Sequence, residues 1–248
     1  MSQARPEVAV LPTPEAACAR AADVIAELLA ARPDAVLALP AGNTPRLVYA
    51  DLARRHREGG LSFARATAFT LDEYAGVGPD HPASFRRFLE DELYRHVDLP
   101  AARAHAPDAR AADLDAACAR YERQIAAAGG LDLCLLGIGG NGHIAFNEPG
   151  SPFDSQTRVV DLATETRAAA GPAFSGGLAP ALAITVGIAT ILSARRCVLL
   201  AHGAGKAQVI ARSLGEPASP ALPASALQRH PNTTIILDAA AASALRGS

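Results

Sequence analysis

The chain has 248 residues, 50% of them apolar, with 23 Lys+Arg set against 25 Asp+Glu. Such an apolar share excludes a disordered chain, and the near balance of charge leaves no basic face for nucleic acid. No apolar run approaches the roughly 18–20 residues of a membrane span, and the stretch Met1–Pro6 lacks the apolar core of a secretory leader.

Thr13-Pro14-Glu15 reads as a helix start, a cap followed by Pro in the first turn and then an acid, with the helix running to about Ala31 before Pro33. Ala35–Leu39 is a short, wholly apolar strand. Pro45 opens a second helix ending near His56, and Ala66–Leu71 reads as a strand. Amphipathic helices are expected over Ala83–His96 and Asp108–Ala128, then a strand over Leu131–Gly137. An irregular stretch follows, with a strand over Arg158–Leu162. The chain closes with a strand over Arg196–Ala201, a helix over Lys206–Ser213, a Pro-rich loop over Glu216–Pro223 and a last strand over Thr233–Leu237. Strands apolar on both faces and separated by helices predict an α/β fold: one doubly wound, mostly parallel sheet with helices on both sides. No repeat or linker divides the chain, so residues 1–248 are expected to form one domain. Cys18, Cys118, Cys134 and Cys197 lie in apolar stretches with no CxxC pair, as expected of reduced, buried thiols in a cytoplasmic protein.

In such sheets ligands gather beyond the carboxyl ends of the strands. After the first apolar strand comes Pro40-Ala41-Gly42-Asn43-Thr44-Pro45. Backbone N–H groups at a helix start, with Gly42 and the Thr44 hydroxyl, suit a phosphate; a plain turn with Thr44 as the helix cap is the competing reading. After the next strand comes Leu71-Asp72-Glu73-Tyr74, adjacent acids that suit a general base or metal ligands, or else a solvated loop. The segment from Gly137 to Gly150 is the most informative. Four glycines surround Asn141 and His143, letting backbone approach a ligand. His143 is a candidate acid–base group by its residue type, and Glu148 is placed to orient its ring if the loop folds back. His202-Gly203-Ala204-Gly205-Lys206 follows the later strand, and Lys206 is the only lysine in the chain. A phosphate cradle, a carboxylate base, a His/Glu pair and one compact cation fit proton transfer on a phosphorylated sugar. No Cys/His/Asp cluster with metal-ligand spacing stands out, and neither a metal nor an organic cofactor is expected.

Gly42-Asn43-Thr44-Pro45, Leu71-Asp72-Glu73-Tyr74, the run from Gly137 through Asn141-Gly142-His143-Ile144-Ala145-Phe146-Asn147-Glu148-Pro149-Gly150, and Gly203 followed by Lys206 resemble the glucosamine-6-phosphate deaminase family. The resemblance runs from about Ala35 to Leu237. Its sister 6-phosphogluconolactonases share the Gly-His but usually lack Phe-Asn-Glu-Pro. The resemblance implies aldose–ketose isomerisation with loss of the amine, converting glucosamine 6-phosphate and water to fructose 6-phosphate and ammonia. It implies Asp72 as the base acting between C2 and C1, His143 with Glu148 and Asn141 in ring opening, and Gly42, Asn43, Thr44, Gly139, Gly142 and Lys206 around the substrate and its phosphate. The small-molecule partner it implies is an amino-sugar phosphate; nucleic acid and membrane are not expected partners, and the sequence leaves monomer or homo-oligomer open.

Three departures from the family pattern bear on this. Position 141 is Asn141 where many members carry Asp. The stretch Ala170-Gly171-Pro172-Ala173 holds no arginine where many deaminases grip the phosphate, and Arg167 is the nearest stand-in. Arg158 is followed by Val159-Val160 rather than by the cationic pair of allosterically regulated members, so hyperbolic saturation is expected. A galactosamine-type deaminase, a lactonase and a non-catalytic sugar-phosphate sensor are the competing readings. Ammonia release separates the first from the second, and the intact Asp72, His143 and Glu148 speak against the third.

Overall fold

The computed structural model describes residues 6–174 and 177–245. Seven strands form one wholly parallel sheet: β1 (Glu7–Leu11), β2 (Val36–Leu39), β3 (Thr67–Thr70), β5 (Ala104–His105), β6 (Leu133–Leu136), β9 (Cys197–Ala201) and β10 (Thr233–Asp238), in the order β1-β10-β9-β6-β2-β3-β5. Helices α1 (Pro14–Ala31), α2 (Arg46–Arg57), α3 (Phe85–Glu92), α4 (Leu114–Ala127), α5 (Thr164–Ala170), α6 (Ile188–Leu192) and α7 (Ala207–Gly215) complete the chain with three further strands. These are β4 (Asp72–Tyr74), β7 (Arg158–Asp161) and β8 (Leu182–Thr185), an antiparallel sheet in the order β4-β8-β7.

The central strands are apolar throughout because each face meets its own core. Leu37, Leu39, Leu133, Leu135, Val198 and Leu200 pack with α1 and α2, while Val36, Ala38, Cys134, Leu136, Cys197 and Leu199 pack on the opposite side with residues of α4, α6 and α7. This is strand alternation with both faces covered. All four cysteines are buried and unbridged.

α1 begins as its sequence dictates: the Thr13 hydroxyl accepts from Ala16 N–H at 3.2 Å and Pro14 fills the first turn. α2 departs from expectation. It starts at Arg46 behind Pro45 without a side-chain cap, so Thr44 is not its cap. α4 starts later than the Asp108 expected, because Asp113 supplies the cap by accepting from Ala116 N–H at 2.9 Å. α3 is shortened at both ends, capped by Ser84 and followed by a 3-10 turn over Tyr94–His96.

Of the small sheet only β7 was expected, as the strand over Arg158–Leu162; β4 and β8 were not. The expected Ala66–Leu71 strand ends at Thr70, and Leu71 is the crossing point: its N–H bonds to Leu39 O at 3.2 Å, and its carbonyl accepts from Val186 N–H at 2.8 Å. Asp72 is therefore the first residue of β4, just beyond the carboxyl edge of the parallel sheet. Strand order reverses between β2 and β6, so the loops after Leu39 and Leu136 flank the crevice where this class of sheet takes its ligands.

Candidate active site

The two adjacent acids after β3 do different jobs, since successive strand residues face opposite ways. Glu73 turns to α3, where its carboxylate accepts from Ser84 Oγ at 2.7 Å, from Tyr74 N–H at 3.0 Å and from Phe85 and Arg86 N–H at 3.1 Å each. It is a buried clasp on a helix start, neither a solvated loop acid nor a free metal ligand. Glu73→Gln would set an amide NH2 against these donors. We expect a loss of about 1.5–3 kcal/mol, the worth of a hydrogen bond to a charged group, read as a lower midpoint in thermal unfolding.

Asp72 is also buried, at 6% exposure, but among the described residues its carboxyl takes no protein hydrogen bond. Burial first, and the neighbouring Glu73 second, push its pKa well above the carboxylate range. Opposite it on β8 stands Thr185, whose Oγ1 accepts from Phe146 N–H at 3.0 Å. One residue thus ties the strand carrying Asp72 to the loop carrying His143 and Glu148.

That loop is a tight, over-determined fold. Gly139 N–H bonds to His143 O at 2.9 Å, and a Cβ on Gly139 would stand 2.2 Å from His143 Cε1. A Cβ on Gly142, at φ +91°, would stand 2.3 Å from Leu222 Cδ1. Two of the four glycines therefore also make room for protein groups, the His143 ring and the Leu222 side chain. Ala145 holds φ +49°, a strained value for a residue with a Cβ, at the turn into Phe146. Gly139→Ala should force the imidazole aside. We expect at least a tenfold loss of kcat with destabilisation of about 1–3 kcal/mol, as for overpacking, measured by steady-state kinetics and chemical unfolding.

The loop brings Asn141, His143 and Glu148 together. Asn141 Oδ1 accepts from His143 N–H at 3.1 Å, while its Nδ2 donates to Glu148 Oε2 at 2.7 Å. His143 Nδ1 lies 3.5 Å from the same Oε2; it is buried and has no closer partner. Thr166 Oγ1 donates to Glu148 Oε1 at 2.5 Å. Burial pushes the Glu148 pKa up, but His143, Thr166 and Asn141 outweigh it and hold the carboxyl at about 2. Behind the loop, Asn147 Nδ2 donates to Val186 O and Ile144 O, and Arg158 donates to Asn147 Oδ1 at 2.8 Å and Ser151 Oγ at 2.9 Å.

Lys206 reaches back to the same loop, its Nζ donating to Ile138 O at 2.7 Å, with burial pushing its pKa down. Gly42 holds φ +125° with nothing near its missing Cβ, so backbone conformation, not space, requires glycine there. Asn43 is exposed and Thr44 half-buried in the turn beside it. Sequence reasoning missed Thr185 and Thr166, which belong to no motif, and the strain at Ala145, which lies inside the motif run but shows nothing of its backbone there.

The model of the glucosamine-6-phosphate isomerases/6-phosphogluconolactonase family matches residues 13–236. The chain is 48% identical over 240 residues to a glucosamine-6-phosphate deaminase of Rhodopirellula baltica, covering 96% of each. It is 48% identical over 224 residues to one of Bacillus velezensis, covering 90% of this chain and 93% of the relative. A solved monomeric glucosamine-6-phosphate deaminase superposes with a TM-score of 0.92 at 41% identity, covering 96% of this chain and 99% of that one. With the site geometry and a match running nearly end to end, the chain belongs to the glucosamine-6-phosphate isomerase/6-phosphogluconolactonase family.

Proposed function

We propose that the protein deaminates glucosamine 6-phosphate, giving fructose 6-phosphate and ammonia. The observation that carries this reading is the buried Asp72 set opposite Thr185, which binds the loop where Asn141, His143 and Glu148 meet, with burial pushing the Asp72 pKa up and its partners holding that of Glu148 down. Among the described residues Asp72 has no hydrogen-bond partner to release, and burial raises its basicity, which suits abstraction of a carbon-bound proton. Glu148 stays ionised beside His143 and fixes its ring, so that the imidazole acts on the sugar's ring oxygen.

The steps follow in order. His143 assists opening of the pyranose. Asp72 takes the C2 proton and returns it to C1, leaving an imine at C2. Water then adds there, and ammonia departs. Lys206 and the donors around Gly42, Asn43 and Thr44 hold the phosphate, so that one carboxylate reaches both carbons. The relatives at 48% identity carry the deaminase name, which favours this chemistry over lactone hydrolysis. Among the described residues no helix is long and apolar enough to cross a membrane, and no group of three His, Cys, Asp or Glu is placed to hold a metal.

The test is one assay with two readouts. The protein is offered the 6-phosphates of glucosamine, galactosamine and mannosamine, and 6-phosphogluconolactone, with ammonia and ketose phosphate both followed. Ammonia and ketose phosphate in equal amounts from the glucosamine compound is the expected result. Lactone hydrolysis without ammonia release would refute the reading, and preference for the galactosamine compound would move it to the C4 epimer.

A further inference from the structure

We propose that Thr166, on α5, is a positioning residue for the Glu148–His143 pair; this rests on the reading of that pair given above. The two oxygens of Glu148 are engaged from two different parts of the chain. Asn141, in the same loop, donates to Oε2, and Thr166, from α5, donates to Oε1. A carboxylate held at one oxygen can still swing about that bond; held at both, its plane is fixed. The plane so fixed turns Oε2 toward His143 Nδ1, 3.5 Å away. Asn141 alone would leave Glu148 able to turn this oxygen from the imidazole.

α5 is well placed for this role. Thr166 and Arg167 form its half-buried side, while Thr164, Glu165, Ala168 and Ala169 are exposed. Arg167 secures the helix through Nε to Ala179 O at 2.9 Å, and Phe174, in the turn after it, packs edge-on against Tyr74 with ring centroids 5.1 Å apart. The arginine and phenylalanine hold the segment to the body of the protein. The Thr166 hydroxyl is the contact through which its placement reaches the reacting groups. When α5 is in place, Glu148 is clamped; displacement of α5 would release Oε1 and loosen the pair.

The test compares Thr166→Val, which keeps the shape and removes the hydroxyl, with Thr166→Ser, which keeps the hydroxyl. Loss of one hydrogen bond to a charged group predicts a fall in kcat of about tenfold for the valine variant. KM should change less than kcat, and serine should restore kcat to within about twofold of the parent. A double-mutant cycle with Glu148→Gln supplies the readout that a merely structural role would not move. If Thr166 acts through Glu148, adding Thr166→Val to Glu148→Gln costs nothing further. Valine at more than half the parental kcat, or losses that multiply in the double variant, would overturn the proposal. A silent Glu148→Gln would instead overturn the reading of the pair itself, and this proposal with it.

Discussion

Asp72→Asn should lose about 10²–10⁴-fold in turnover, the range for removal of a general base, and should at the same time raise the thermal unfolding midpoint. The two effects share one cause. Asp72 is buried, has no hydrogen-bond partner for its carboxyl among the described residues and sits beside Glu73, so its charged form is disfavoured in the folded state. Its pKa is raised on folding, so between the unfolded and folded values the native state holds a proton the unfolded chain has lost. Stability therefore falls as pH rises through that window, and the full cost is present above it. Each pH unit between the two midpoints is worth about 1.4 kcal/mol, or about 3–6 °C for a chain of this size. Asparagine keeps the shape and cannot ionise. Its stability advantage should be present at neutral pH and vanish below the unfolded aspartate value, about 3.9. Thermal scans at pH 7 and at pH 3.5, beside the kinetic assay, read both halves. A variant that keeps more than a tenth of parental turnover would move the base elsewhere. An unchanged midpoint at pH 7 would deny the burial argument. Burial raises the Glu73 pKa as well, against four donors that lower it, but Glu73→Gln has the opposite expected sign on stability because a glutamine NH2 would face those donors, whereas among the described residues Asp72 has none.

The contrast between these neighbours shows what the sequence could carry. Five of the seven parallel strands, β2, β3, β6, β9 and β10, were legible because burial on two faces writes an unbroken apolar run, as in Val36–Leu39 and Cys197–Ala201, while the two-residue β5 was too short to show one. Of the small antiparallel sheet only β7 was legible. β4 is three residues long, and two of them are acids. β8 begins with an exposed Leu182 in a stretch with no clear period. β1 escaped notice for a related reason: it is an edge strand with Val8 and Val10 exposed, so its pattern points away from a core. At the site, the motif residues Asn141, His143 and Glu148 were named by sequence and are joined in space. The division of labour between Asp72 and Glu73 was not legible, because it depends on the crossing at Leu71 and on where α3 begins. Thr166 was silent too. A threonine on a short helix carries no signature until the structure shows which carboxylate it faces.

Lys206→Ala should raise KM about 10- to 150-fold and lower kcat less. A sugar phosphate carries close to two negative charges, and the stretch Ala170-Gly171-Pro172-Ala173 supplies no arginine to share them. Lys206 is half-buried, and burial lowers its pKa, so an arriving dianion relieves a desolvated cation as well as gaining a donor. A charge-assisted hydrogen bond is worth roughly 1.5–3 kcal/mol, which sets the factor given. Removal of binding shared by ground state and transition state falls on KM more than on kcat. Lys206 also holds Ile138 O, at the root of the loop carrying His143, so some loss of kcat is expected from loosening that loop. Arg167 is the competing anchor. Its Nε is committed to Ala179 O, which ties it to the placement of α5. Arg167→Ala is therefore expected to act through α5, lowering kcat more than it raises KM. Measuring both variants against inorganic phosphate as a competitive inhibitor separates anion binding from turnover. The lysine variant should lose phosphate affinity and the arginine variant should keep it. If Lys206→Ala leaves phosphate inhibition intact while Arg167→Ala weakens it tenfold, the phosphate is held by the arginine of α5, and Lys206 serves only to anchor the loop at Ile138.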